Sequence, residues 1–283
     1  MPFTFSHPAA VIDLPKKYFS LSALVIGSMI PDIEYFIRLE PVRHHIHSWP
    51  GFLWLGIPIG TFIYLFFHIF LKYPLVSILP KDHQEKLIPV CKKFSLKTPK
   101  DFFKIILSIF IGILSHIIID SFTHSNNFLT DYIPFLQKYI IKIPFLHITV
   151  SEFLQYFTTV TGIGYIILRY FLWFYNCKEK ENLENELFTF KKKASAISSV
   201  IFISSFSAAI YGSVKSGILY DQSRLYGFFV YTSLASISFL IIGLVILCFK
   251  VHFDRRLYMK KRDEMRVKQF QDRAGHLFLK KHI

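Results

Sequence analysis

FFKIILSIFIGILSHIIIDSFTH, residues 102–124, is an apolar run that ends in three potential metal ligands, His116, Asp120 and His124. Its apolar part, 102–119, falls within the roughly 17–25 residues that a helix needs to cross the hydrocarbon core of a bilayer. At about 100° per residue, groups four apart drift only about 40° around a helix, so the three ligands leave from one face. At roughly 1.5 Å per residue they form a ladder with rungs about 6 Å apart. Such a ladder suits one cation and its supporting groups, or two neighbouring cations. A hydrogen-bonded polar pair inside a helix interface accounts for one His–Asp pair. Three groups on one stripe, with further His and Asp at the same end of the chain's other apolar segments, point to a metal site.

Working outward from this helix, further apolar runs long enough to span lie at 52–71, 153–175, 194–219 and 227–249. The composition agrees: 52% of the 283 residues are hydrophobic and 32 are Phe, more than an ordinary soluble domain of this length carries. The fold class expected is an all-α, polytopic membrane bundle of about six or seven helical segments. The opening MPFTFSHP has neither a basic n-region nor a small-residue cleavage pattern, so the first segments are expected to stay attached. Residues 8–14, ended by Pro15, and the short run 18–30 are each too short to span, and together read as a re-entrant or tilted helical hairpin. An antiparallel hairpin brings His7, before its first turn, to the end where Asp32 follows its second helix in SMIPDIEYF. Pro31 stops that helix and frees the carboxylates of Asp32 and Glu34 from mid-membrane burial.

The net charge of +14 is distributed as topology rather than as a nucleic-acid surface. Twenty-three Lys and Arg fall in 72–101, 177–193 and 250–283, and five in 32–51, 121–150 and 216–226. By the positive-inside rule the first set is cytoplasmic, so the chain is expected in the plasma membrane with its C-terminus inside and the ladder at the extracytoplasmic mouth. Residues 1–249 then form the membrane-embedded helical domain and 250–283 a basic cytoplasmic tail. The partner expected is the lipid bilayer, with some attraction to anionic lipid and no nucleic acid. Cys91, Cys177 and Cys248 fall on the cytoplasmic side, so no disulfide is expected. No P-loop, GxGxxG or GxSxG pattern is present.

Further ligand candidates lie at the same end as the ladder. VRHHIHSWPG, residues 42–51, puts His44, His45 and His47 just before a span, and imidazole is a common zinc ligand. His47, followed by Ser48, is the preferred one and His44 the next. His68 lies about 24 Å further along that span, at the opposite side, and reads as a packing residue. The segment 131–156 is amphipathic and suits a lid, with His147, Glu152 and Gln155 within or near its end as groups that close the site. The small residues of SSVIFISSFSAAIYGS and TSLASISFLIIGL let the last two spans pack closely.

MPFTFSHPA (1–9), SALVIGSMIPDIEYF (22–36), HSWPG (47–51) and GILSHIIIDSFTH (112–124) together resemble a bacterial membrane-protein family, domain-of-unknown-function family 4184. That family is similar to the predicted membrane-bound metal-dependent hydrolases, distant helical relatives of zinc-dependent phospholipase C. The resemblance implies a metal site at His7, Asp32 with Glu34, His47 with Ser48, and His116 with Asp120; His and Asp ligands suit a divalent metal, zinc or manganese, and His124 on the ladder is a further candidate. Ile46 and Glu34 stand where the hydrolase pattern has Thr and Asp. The function expected is metal-dependent hydrolysis of a phosphoester or ester at the membrane surface, with Asp120 and Asp32 as catalytic groups. A divalent-cation or proton-coupled transporter is the alternative, and a non-catalytic structural membrane protein a third reading. Against transport, the ligands cluster at helix ends rather than on broken helices at the bilayer midplane.

Overall fold

The computed structural model describes residues 4–41, 46–92, 96, 98–124, 127–143, 146–178, 180, 188–217 and 222–280. The chain opens with a 3-10 helix, Thr4–Ala10, then α1 (Leu21–Met29), a 3-10 turn Ile30–Asp32 and α2 (Ile33–Arg38). There follow α3 (Phe52–Ser77), α4 (Lys81–Lys92), α5 (Pro99–Thr123), α6 (Phe128–Tyr132), a hairpin of β1 (Tyr139–Ile143) and β2 (Leu146–Thr149), α7 (Val150–Asn176), α8 (Phe190–Ser216) and α9 (Gln222–Lys280). Helices α3, α5, α7, α8 and the part Ser223–Arg256 of α9 are long and apolar enough to cross a membrane. The protein is an all-α, multi-pass membrane bundle.

Its two ends are marked by side-chain contacts. Where α8 ends, Lys215 pairs with Glu40 at 2.9 Å and the Tyr211 hydroxyl donates to the Leu39 carbonyl at 3.4 Å, which places the chain after α2 at that end. At the other end Lys193, at the start of α8, donates to the Leu79 carbonyl at 3.2 Å, and Arg255 stacks over Tyr73 at 3.8 Å. The described parts of the basic segments near Leu79, Lys193 and Arg255 therefore gather at one end of the bundle.

The N-terminal segment enters the bundle and returns to the end from which it came. Near its tip, Lys104 of α5 donates to the carbonyls of Lys16 (2.6 Å) and Lys17 (3.3 Å), and the Ser108 hydroxyl accepts from the Ser20 amide at 2.9 Å. These bonds satisfy non-helical backbone that would otherwise be costly at membrane depth. On the return, α1 lies along α5 at backbone-to-backbone distance. A Cβ on Gly27 would stand 2.4 Å from the Ile109 carbonyl oxygen, and one on Gly112 2.5 Å from that of Leu24. Side-chain-free positions are what permit such a crossing. From Lys104 to His116 the hairpin runs along about 18 Å of α5. The apolar core, including Ala23, Ile30, Ile46, Phe52, Ile109 and Ile113, fills the angle between α1, α3 and α5.

Helix α3 contains two π-helical turns, Phe52–Gly56 and Phe67–Leu71, each shortly before a proline, Pro58 and Pro74. Proline lacks the N–H that an α-helix would give to residue i−4, and a widened turn accommodates the loss. His68, on the second of these turns, lies 2.8 Å from the Ser22 hydroxyl and packs on Tyr64, in a polar cluster at the hairpin tip away from the ladder.

Two segments carry more structure than their composition suggests. The stretch 72–101, basic and lying between two apolar runs, holds the last turn and a half of α3 and all of α4. Its charges hide an amphipathic helix that buries Gln84, Lys86 and Ile88. In 131–156, Tyr139–Ile143 and Leu146–Thr149 pair as an antiparallel hairpin rich in β-branched residues, with Tyr139, Ile140, Ile141 and Ile143 exposed. Helix α9 continues past residue 249 without a break to Lys280.

Candidate metal centre

Each central side chain is set by its own element. The Thr98–Asp101 capping box starts α5, whose turns put His116 and Asp120 on the face covered by α1 and the N-terminal segment. The glycine crossing brings the Ser28 carbonyl to 2.7 Å from His116 Nδ1. A carbonyl only accepts, so Nδ1 carries the proton of that bond and Nε2 is the ring atom turned inward. Asp32 ends the hairpin, and the Thr4 hydroxyl donates to its Oδ2 at 2.7 Å, leaving Oδ1 toward the centre. His47 enters from the segment before α3, between buried Ile46 and Ser48, whose hydroxyl accepts from the Gly51 amide and caps the helix start. His7 rides on the 3-10 helix, held against α7 where a Cβ on Gly162 would stand 2.9 Å from the Ser6 carbonyl oxygen.

The atoms converge. His116 Nε2 lies 3.5 Å from Asp32 Oδ1 and 3.3 Å from Asp120 Oδ2. His47 Nε2 lies 3.8 and 3.6 Å from the same two oxygens. Asp32, His47, His116 and Asp120 thus offer four donor atoms within 4.8 Å of one another, a group able to hold a metal ion. Charge-assisted N–H···O bonds would be about 2.7–2.9 Å long. Donors around one tetrahedral zinc, at bonds of about 2.0–2.2 Å, lie about 3.3–3.6 Å apart. Separations of 3.3, 3.5 and 3.6 Å match the second arrangement, and the fourth, 3.8 Å, lies just beyond it.

Burial sharpens the point. Asp32 is 2%, Asp120 1% and His116 0% exposed, and among the described residues Nε2 of His116 and both ring nitrogens of His47 have no hydrogen-bond partner. Two carboxylates withdrawn from water cost several kcal/mol each unless a cation or strong donors compensate. His7 is 2% exposed, its ring stacked on His116 with centroids 3.9 Å apart and its Nε2 3.6 Å from Asp120 Oδ1. Burial, with His116 adding to it, pushes the His7 pKa down to about 4, so its ring is neutral and offers a lone pair at pH 7.

Residues 1–249 match the family model described as "Domain of unknown function (DUF4184)". The chain belongs to this family. Searches of curated proteins and of solved structures return no match. The family description leaves the chemistry to be read from the centre itself.

Of the other sequence candidates, His124 follows the last turn of α5 and its Nδ1 lies 3.5 Å from Asp120 Oδ1. The segment after it straps down that end: Asn127 Nδ2 donates to the Asp120 carbonyl (2.9 Å), Thr130 Oγ1 to that of His124 (2.7 Å) and Gln137 Nε2 to that of Thr130 (3.0 Å). Glu34 is half-buried in the first turn of α2, outside the four-donor group. Ser48 serves as the cap already described. Glu152 caps α7, its carboxylate accepting from the Thr149 amide and hydroxyl at 2.8 and 3.0 Å. The Thr149-x-x-Glu152 spacing signals this in the sequence. His147 is exposed on β2 beside Tyr139, and Gln155 is buried along α7, its carbonyl accepting from Thr158 and Thr159. His44 and His45 lie outside the described residues. Nothing in the sequence marks Thr4 and Ser28, which orient Asp32 and His116. A hydroxyl and a main-chain carbonyl carry no motif of their own.

Proposed function

We propose that this protein is a membrane-embedded, metal-dependent hydrolase acting on a phosphoester or ester group at the membrane surface. The observation that supports this reading is the spacing of four buried donor atoms, from Asp32, His47, His116 and Asp120, at cation-sharing rather than hydrogen-bonding distances. Two carboxylates and two imidazoles suit zinc, with manganese the next choice. A bound divalent ion would acidify a coordinated water and polarise a phosphoryl or acyl oxygen.

The chain's own groups supply the rest. The Ser28 carbonyl holds the His116 tautomer and Thr4 holds Asp32, so neither side chain must reorganise during reaction. Asp120 or Asp32 takes the proton from the attacking water. His47 and His124, the more accessible members with side chains 14% and 15% exposed, lie on the side from which substrate enters. Hydrolysis is tested on a panel of phosphoester and ester headgroups in proteoliposomes with zinc or manganese. Asp120→Asn should lower the rate about 10²–10⁴-fold. A wild type that binds metal and hydrolyses nothing on the panel would sink the catalytic reading and leave a metal-binding membrane protein.

The same reading puts the centre on the extracytoplasmic face of the plasma membrane and the C-terminus in the cytoplasm. It rests on the gathering of the basic segments at the opposite end of the bundle. In a background lacking Cys91, Cys177 and Cys248, a cysteine introduced as His45→Cys should react with an impermeant maleimide on intact cells and one introduced as Met265→Cys should not. The opposite pattern would place the centre in the cytoplasm.

A further inference from the structure

We propose that the basic end of the bundle carries a binding site for one anionic phospholipid, in the cavity between α8, α9 and the end of α3. Lysines there take the headgroup phosphate, and an apolar wall takes the start of an acyl chain. The site lies at the opposite end of α8 from the contacts with Leu39 and Glu40, and it does not depend on the hydrolase reading.

The cavity follows from how the two helices pack. They run antiparallel and meet closely at Gly243, where a Cβ would stand 2.8 Å from Val200 Cγ1. Further toward the basic end α8 offers the small side chains of Ser195, Ala196 and Ser199, which do not fill the space beside Leu247 and Val251 of α9. A cavity of about 780 Å³ remains, within the roughly 300–1,000 Å³ typical of ligand sites. Ile78, Leu247 and Val251 form a buried apolar cluster with Phe188 packed against it, and these four supply the apolar wall.

Lys191, Lys192, Lys193 and Lys250 line the same space, against one aspartate, Asp254, among the described residues. Like charges gathered around an apolar cavity repel one another, and a bound anion offsets that repulsion. Lys193 is built into the wall. It is 5% exposed, and its ammonium donates to the Leu79 carbonyl at 3.2 Å, which fixes a cation between α8 and the end of α3. The other three lysines are exposed, and their flexible stems bring ammonium groups to a phosphate as point charges. Depth selects a lipid over a soluble anion. Lys191, Lys192 and Lys193 stand in the first turn of the membrane-crossing helix Phe190–Ser216, and Lys250 lies near the end of the crossing part Ser223–Arg256. Ser199, in the same lining, is about 9 Å deeper along α8 than Lys193. The cavity therefore runs from headgroup level toward the acyl chains, where basic pockets between membrane helices hold anionic headgroups.

The test is lipid retention by the full chain in neutral detergent, read by native mass spectrometry with phosphatidylglycerol or phosphatidylcholine added. One phosphatidylglycerol per chain is expected at concentrations where phosphatidylcholine does not bind. Lys192→Gln with Lys250→Gln should weaken that retention by about 5-fold for each lysine lost. Ser195→Trp, which fills the cavity and changes no charge, should abolish the preference. Lys178→Gln with Lys180→Gln removes the same charge from outside the cavity and should leave retention as in the wild type. Equal retention of the two lipids by the wild type would overturn the proposal without requiring any variant to fold. An equal loss in both lysine pairs would overturn it too, by showing a diffuse attraction, as would displacement of the lipid by glycerol phosphate at equal concentration, by showing a site for free phosphate. A preference that emerges only when Glu181, Glu184 and Glu186 are replaced by Gln would make the chain's own acidic stretch the occupant, which also overturns it.

Discussion

Chelation of the wild-type protein in detergent lowers its melting temperature, and zinc or manganese restores it. An ion bound to the folded form alone adds about 4 kcal/mol at a thousandfold excess over its dissociation constant. For a chain of this size that is a shift on the order of 10 °C. His116→Leu combined with Asp120→Leu should erase both responses. The sign of the residual effect separates a metal site from a packing device. Polar groups held only by one another can be exchanged together for apolar residues at little cost, or with a gain in stability. The double variant without metal should therefore be at least as stable as the wild type without metal, and less stable than the wild type with it. A wild type that is metal-free as purified and indifferent to chelator and to every divalent ion would end the proposal.

Gly112→Val produces the second large effect, at a position that touches no ligand. A Cβ there would lie 2.5 Å from the Leu24 carbonyl oxygen and 2.7 Å from the Ser28 amide nitrogen, both main-chain atoms that cannot swing aside. Helix α1 must move away from α5, and with it the Ser28 carbonyl that sets the His116 ring at 2.7 Å. The expected loss is about 3 kcal/mol or more of stability, with metal affinity weakened by about 10–100-fold as the ring loses its orienting partner. Gly164→Ala in α7 is the control. Nothing lies within 4 Å of its Cβ position, and it should be neutral or stabilising by about 0.5–1 kcal/mol. If Gly112→Val kept wild-type melting and metal affinity, the helix crossing would not be what sets the geometry of the centre.

The features legible in the chain alone are those governed by short-range periodicity and by solvent. Apolar runs matched to bilayer thickness mark the long helices, because lipid rewards that length whatever the neighbours are. Spacing of four residues puts His116, Asp120 and His124 on one stripe, because 3.6 residues per turn is a local property of the backbone. The density of His before α3 and the Pro31–Asp32 stop flag candidates for the same reason. Composition misled where a short element is polar, as in α4, whose buried face is only a few residues wide, and in the β-hairpin within the lid segment.

Selection among the candidates required the fold. Ser48 and Glu152 are chemically fit to be ligands, yet their oxygens cap helices, which the structure shows through their bonds to Gly51, Thr149 and the start of α7. His147 lies on an exposed strand, whereas His7, no better marked in sequence, is buried against His116. Which oxygen of Asp120 faces which imidazole, and that Thr4 and Ser28 orient the centre, depends on contacts between residues 28 to more than 100 positions apart. Those contacts are set by how closely α1 approaches α5 at Gly27 and Gly112. A glycine records only that close approach is permitted, and the partner that approaches is settled when the whole bundle packs.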